Sequence, residues 1–153
     1  MNRLIKILLI VGSFILLFTQ SVLSQEISIC NLIGKNVDNV VKTFGKPLHT
    51  DKSNPAMQCF YYQSSKSRMA FIADKTGVYQ IQNDYYYSTK NAAEKAINNF
   101  ITNCYKNNMQ VDTVNVSDFK IYGSGVRVTL TLFGNNISKK YEVQLKADRS
   151  ENK

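Results

Sequence analysis

The stretch VRVTLTLF, residues 126–133, decides the fold. Val126, Val128, Leu130 and Leu132 alternate with Arg127, Thr129 and Thr131, and a period of two sends the two sets to opposite faces of an extended strand. One face is apolar and the other wettable, which is the pattern of an antiparallel sheet packed on one side only. Tyr141, Val143 and Leu145 repeat the alternation in the next segment, and VDTVNV and FKIYG just upstream read as further strands of the same meander. Gly123-Ser124-Gly125 lies between two of these strands with no helix after it. It reads as a hairpin turn, because a phosphate-binding loop needs a helix N-terminus behind it.

Moving toward the N-terminus, Thr89 to Asn107 carries Ala93, Ile97, Phe100, Ile101 and Cys104 at helical spacing, so a long amphipathic helix is predicted there. Ser88 or Thr89 caps its start and Asn107-Asn108 closes it. Ahead of it, Gln58–Gln63, Arg68–Asp74 and the segment VYQIQNDYYY read as three strands. Their connections are too short for parallel crossovers, so they form antiparallel hairpins. LIGKNVDNVVKTFGKP, residues 32–47, places Val37, Val40, Val41 and Phe44 on one stripe of a short helix. Asn36 is its N-cap, Asp38 suits the positive end of the dipole, Gly45 supplies a left-handed terminus and Pro47 prevents the helix from resuming.

The expected fold class is α+β: a short helix plus antiparallel strands, then a longer helix plus an antiparallel meander, with the helices packed on one sheet face. Residues 25–148 are expected to form one domain and residues 149–153 a frayed tail. Residues 1–24 have the layout of a signal peptide, with Arg3 and Lys6 before an apolar run from Ile7 to Phe18 and small or branched residues at Val22 and Ser24. The run is shorter than the ~20 residues that span a bilayer. No cysteine stands at the cleavage point, which argues against a lipid-modified N-terminus.

That leader contains two of the nineteen Lys and Arg and none of the eleven acids, so the net charge falls from +8 to +6 without it. The lysines are scattered, and only Lys139-Lys140 are adjacent. No nucleic-acid arm is present in such a pattern. The three cysteines, Cys30, Cys59 and Cys104, are too few for a disulfide scaffold. In an oxidising compartment one bridge and one leftover thiol are expected, and Cys30 with Cys59 is the expected bridge, tying the segment before the first helix to the strand beneath it.

Gly34, Val37, Val40, Val41, Phe44, Gly45 and Pro47, followed after a polar loop by Phe60, Tyr61 and Tyr62, form a pattern that resembles the SmpA/OmlA (BamE-like) family of outer-membrane assembly proteins. It also resembles the fold of beta-lactamase inhibitor proteins. The resemblance covers about the N-terminal third. It implies an envelope protein of a bacterium that binds other proteins across a small sheet, without catalysis. In a bacterium the acceptor patterns Asn115-Val116-Ser117 and Asn136-Ile137-Ser138 carry no glycan.

No group of residues converges on a recognisable chemistry. His49 is the only histidine, which excludes a multi-histidine zinc site. The cysteines lack CxxC spacing, and the carboxylates are dispersed. No cofactor or metal is expected, and the chain is not expected to be an enzyme. In DYYYSTK, residues 84–90, Tyr85 and Tyr87 share one face of an extended segment and Tyr86 takes the other. Tyr85 and Tyr87 are the candidate binding residues, since tyrosine offers a large apolar ring with a polar tip. The alternative is that both rings cover the junction of helix and sheet.

The expected function is therefore an exported module, periplasmic or secreted, that binds a protein partner in the cell envelope. Nucleic acid and a membrane span after signal removal are excluded, and self-association is left open. The rival reading is a small-ligand-binding domain of cystatin-like or NTF2-like build.

Overall fold

The alternation at Val126–Asn135 is realised as a ten-residue strand whose Val126, Val128, Leu130 and Leu132 are buried. The computed structural model describes residues 28–123 and 125–150. The expected signal peptide, its cleavage point and residues 151–153 lie outside the described residues. After a helical turn at residues 28–30, the chain forms α1 (Val37–Phe44), β1 (His49–Asp51), β2 (Gln58–Gln63), β3 (Ser67–Asp74) and β4 (Gly77–Tyr87). Then come α2 (Lys90–Lys106), β5 (Gln110–Asn115), β6 (Asp118–Gly123), β7 (Val126–Asn135) and β8 (Lys140–Arg149).

All eight strands join one sheet in the order β1-β2-β3-β4-β8-β7-β6-β5, and every neighbouring pair is antiparallel. Each half of the chain is a helix followed by a four-stranded meander. The halves meet where β4 pairs with β8, with Ile81 opposite Ala147, Asn83 opposite Leu145 and Tyr85 opposite Val143.

This corrects the expected α+β class. Among the described residues strand accounts for 49% and helix for 23%, with α2 as their one main helix, so they form a mainly β domain built on a single sheet. The physical reason is twofold. The first helix has only eight residues and cannot make a layer of its own, and the two meanders fuse edge to edge instead of standing as separate sheets. The sheet also runs through Arg149, past the boundary expected at 148. Arg149 donates to Thr76 Oγ1 at 2.6 Å and to the Val78 carbonyl at 3.0 Å, and Ser150 N–H donates to the Gly125 carbonyl at 3.1 Å.

The helix ends form by local chemistry. Asn36 Oδ1 accepts from the Asp38 N–H at 3.1 Å, and Gly45, at φ 77°, donates its N–H to Val41 O at 2.8 Å. The Tyr62 hydroxyl then donates to the Gly45 carbonyl at 3.1 Å, so the end of α1 is tied to β2. Thr89 Oγ1 accepts from Ala92 N–H at 3.2 Å at the start of α2.

Both helices bear on the same face. Val40 is fully buried, and the Phe44 ring lies 5.7 Å from Tyr62 and 5.3 Å from Phe71. α2 buries Ala93, Ala96, Ile97, Phe100 and Cys104 over Leu130, Val143 and Leu145. Within this apolar layer Asn83 is 1% exposed, and neither its amide nitrogen nor its oxygen has a partner among the described residues.

Candidate binding face

Because residue parity is strict along a strand, everything that alternates with the core row lies on the opposite side of the sheet. No helix among the described residues covers that side. Across the middle of the sheet it presents Arg68, Asp84 and Gln144 in one row and Tyr86, Glu142 and Phe133 in the next. Toward β1 and β2 it adds Cys59 and Tyr61.

The polar residues of this face are organised by mutual bonds. Asp84 Oδ2 accepts from Arg68 Nη2 at 2.8 Å and Nε at 3.3 Å, and Asp84 Oδ1 accepts from Gln144 Nε2 at 3.0 Å. Glu142, which is 7% exposed, accepts from Asn135 Nδ2 at 2.6 Å. Asp148 accepts from Gln80 Nε2 at 2.6 Å and has Lys146 Nζ at 3.8 Å. These three carboxylates are each held by a neighbour, so their role is to fix side chains in place. The pair Arg68–Asp84 is exposed on the arginine side, and pairs of that kind contribute little stability.

The rings stand among these fixed polar groups. Lys140 Nζ lies 5.8 Å from the centre of the Tyr86 ring, within cation–π range. His49 stacks on Tyr61 at 5.8 Å, which gives the single histidine an aromatic partner. Tyr61 and Phe133 are each 39% exposed. Burial, followed by the nearby carboxylates Asp84 and Glu142, raises the Tyr86 phenol above its ordinary value, with Arg68 opposing. The hydrogen bond with Cys59 raises that of Tyr61. Both phenols are therefore neutral, with their oxygens available for hydrogen bonding.

The candidate tyrosines sit elsewhere. Tyr85 and Tyr87 share the parity of Ile81 and Asn83, pack against the core and lie beneath α2 with Ala96, Ile97 and Phe100. Tyr86 takes the bare face. The signal that identifies it is Ile81, whose burial fixes the parity of residues 83, 85 and 87, but the polar Asn83 in that row conceals the pattern. About 10 Å³ remains open beneath α2, scarcely room for one water. A larger, open hollow of about 570 Å³ lies at the end of the sheet where Cys30, Gly34, Lys35 and Arg149 meet.

The expected Cys30–Cys59 bridge is not brought together. Cys30 lies in the core on the helix side, whereas Cys59 alternates with buried Phe60 and Tyr62 and faces the bare side. Burial pushes the Cys30 thiol up to about 12, with Cys104 as the next cause, and pushes Cys104 up to about 11. Thiolate is the reactive form, so alkylation of the folded protein should modify Cys59 first and Cys104 and Cys30 only on unfolding. Timed iodoacetamide labelling with peptide mass spectrometry checks this. The sign for stability follows from proton linkage: the contribution of these thiols is full below the ordinary value of 9.0 and is lost as pH rises through about 11 and 12.

Among the described residues there is no group of three or more His, Cys, Asp or Glu arranged to hold a metal. None of their helices is long and apolar enough to cross a membrane.

No protein-family model matches the chain, and no curated protein matches it. Solved structures to which the chain is similar include two extracellular or secretory proteins. One is an extracellular protein containing an SCP domain from Bacillus anthracis, at 13% identity and TM-score 0.47, over 78% of this chain and 45% of that one. The other is a cysteine-rich secretory protein from Staphylococcus aureus, at 9% identity and TM-score 0.41, over 75% of this chain and 44% of that one. This chain thus spans less than half the length of either.

These findings correct the expected SmpA/OmlA and inhibitor-type resemblance. No model of such a family matches the chain. The physical reason lies in the residues that carried it. Asn36, Gly45 and Tyr62 meet the local demands of starting, stopping and clamping a two-turn helix, and any chain with such a helix meets them in similar ways.

Proposed function

We propose that the chain is an exported, non-catalytic binding module that holds a protein partner against the bare face of its sheet. Export is supported by the charged, apolar and small-residue layout of residues 1–24. The observation that carries the binding role is the asymmetry of the sheet: helices cover one face, and the other presents Tyr61, Tyr86 and Phe133 among side chains already fixed by Asp84, Glu142 and Asp148. Rigid rings in a preorganised polar frame lose little entropy on binding. The space of about 10 Å³ beneath α2 speaks against a small ligand enclosed between that helix and the sheet, since ligand sites are typically some thirty-fold larger or more.

The test uses the chain from residue 25 onward as bait in culture fluid and envelope extracts of its own source. The triple variant Tyr61→Ser, Tyr86→Ser, Phe133→Ser serves as the parallel bait. The expected result is one protein retained in stoichiometric amount by the first bait and lost from the second, with the thermal midpoint nearly unchanged. Equal retention by both would remove the bare face from the interaction.

A further inference from the structure

Val116 is 93% exposed and Ile137 is 96% exposed, and both sit on hairpin tips at the same end of the sheet. Val116 lies in the β5–β6 turn and Ile137 in the β7–β8 turn. Asp118 pairs with Thr131, Leu132 N–H donates to Ser117 O at 2.8 Å, and Asn135 pairs with Lys140. The register therefore carries both turns to one side.

The tips are held by their own side chains. Asn115 Oδ1 accepts from Ser117 N–H at 2.8 Å, while Asn115 Nδ2 donates to Asp118 at 2.6 Å. Asn135 Oδ1 accepts from the N–H groups of Ile137 and Ser138 at 2.9 and 3.0 Å. The aliphatic side chains are thus presented outward by ordered turns. Lys139 and Lys140 follow Ile137 with Ser138 between. Lys66 belongs to the same end, because its carbonyl accepts from Tyr86 N–H at 2.9 Å and Tyr87 pairs with Tyr141. Asp118, the carboxylate between the two tips, is occupied by Asn115.

Projecting aliphatic groups bordered by lysines match the layered chemistry of a lipid interface. Apolar groups enter below the headgroups, while ammonium groups remain at the level of the phosphates and are drawn there by anionic lipid. We propose that this end of the sheet docks on an anionic lipid surface, with Val116 and Ile137 entering the headgroup layer and Lys66, Lys139 and Lys140 meeting the lipid phosphates. The site adjoins the bare face and shares Lys140 with it, since Lys140 Nζ lies 5.8 Å from the centre of the Tyr86 ring.

The sequence contains no tryptophan, so Ile137→Trp gives a single fluorescent reporter. The chain from residue 25 onward, which includes every element of the described fold, is mixed with phosphatidylcholine vesicles with and without phosphatidylglycerol. Expected are a blue shift and co-sedimentation with the phosphatidylglycerol vesicles only. The pair Val116→Ser and Ile137→Ser should weaken binding about tenfold or more, and Lys139→Gln with Lys140→Gln should weaken it and flatten its salt dependence. Circular dichroism confirms that the variants are folded. Absence of binding overturns the proposal. So does undiminished binding of the serine pair, which would reduce the effect to general attraction by net charge. Self-association that the serine pair abolishes, without vesicle binding, assigns the tips to a second copy and overturns it as well.

Discussion

Replacing Phe71 by alanine should cost about 3–5 kcal/mol of stability. Phe71 is 0% exposed, stands opposite Phe60 on β2 and Ile81 on β4, and has the rings of Phe44 and Tyr62 at 5.3 and 5.7 Å. It is the surface on which α1 rests. An eight-residue helix has no stability of its own, so loss of this ring removes both buried area and the support for α1. Domains of this size have only about 5–15 kcal/mol in total, and the variant should be largely unfolded well below the wild-type midpoint. Urea denaturation followed by far-ultraviolet circular dichroism measures it. A loss under about 1 kcal/mol would mean that the cluster of Phe44, Tyr62 and Phe71 collapses around the gap more completely than large-to-small substitutions allow.

Gly77→Ala should be nearly as damaging, for a different reason. Gly77 has φ +111°, and a Cβ added there would lie 2.7 Å from the Lys35 carbonyl oxygen and 3.1 Å from that of Gly34. Both obstacles are backbone, so no rotamer change relieves them. The same contact carries two hydrogen bonds, Gly34 N–H to Val78 O at 2.7 Å and Val78 N–H to Lys35 O at 2.9 Å, which fasten the approach to α1 onto the start of β4. Forcing the segments apart adds the loss of these bonds to the strain at φ +111°, for a cost of about 3 kcal/mol. Hydrogen exchange distinguishes this result from a general core defect: the Gly34 and Val78 amides should lose protection first. If both stay protected and the midpoint is unchanged, the backbone contact is looser than its geometry implies.

Much of the local structure was legible in the sequence because local chemistry determines it. Asn36 and Gly45 bound α1, Thr89 and Asn107 cap α2, and the alternation from Val126 to Leu132 matches the burial of β7. The class was not legible. Alternation tells which face a residue takes and says nothing about which strand lies beside it, and the pairing that fuses the meanders joins Gln80–Tyr87 to residues about sixty positions later. β1 escaped because three residues, His, Thr and Asp, carry no apolar period. The face taken by the candidate tyrosines Tyr85 and Tyr87 was obscured for a related reason. Tyr85, Tyr86 and Tyr87 are chemically identical, and the buried row they border contains Asn83, which reads as a surface residue until Ile81 and Leu145 are seen on either side of it.

The seam between β4 and β8 also dictates an order of assembly. β8 is the last described strand in the sequence yet stands in the middle of the sheet, with β4 on one side and β7 on the other. A chain emerging from its N-terminus first can complete the β1–β4 meander early, but β4 then waits with its ladder groups unpaired until Lys140–Arg149 arrives. An open strand edge of that length invites pairing with other chains. The final ten residues of the sheet are therefore what turns two sticky half-sheets into one closed middle, and a stalled or clipped chain that lacks them should be handled by the cell as aggregation-prone material even though most of its core residues are already present.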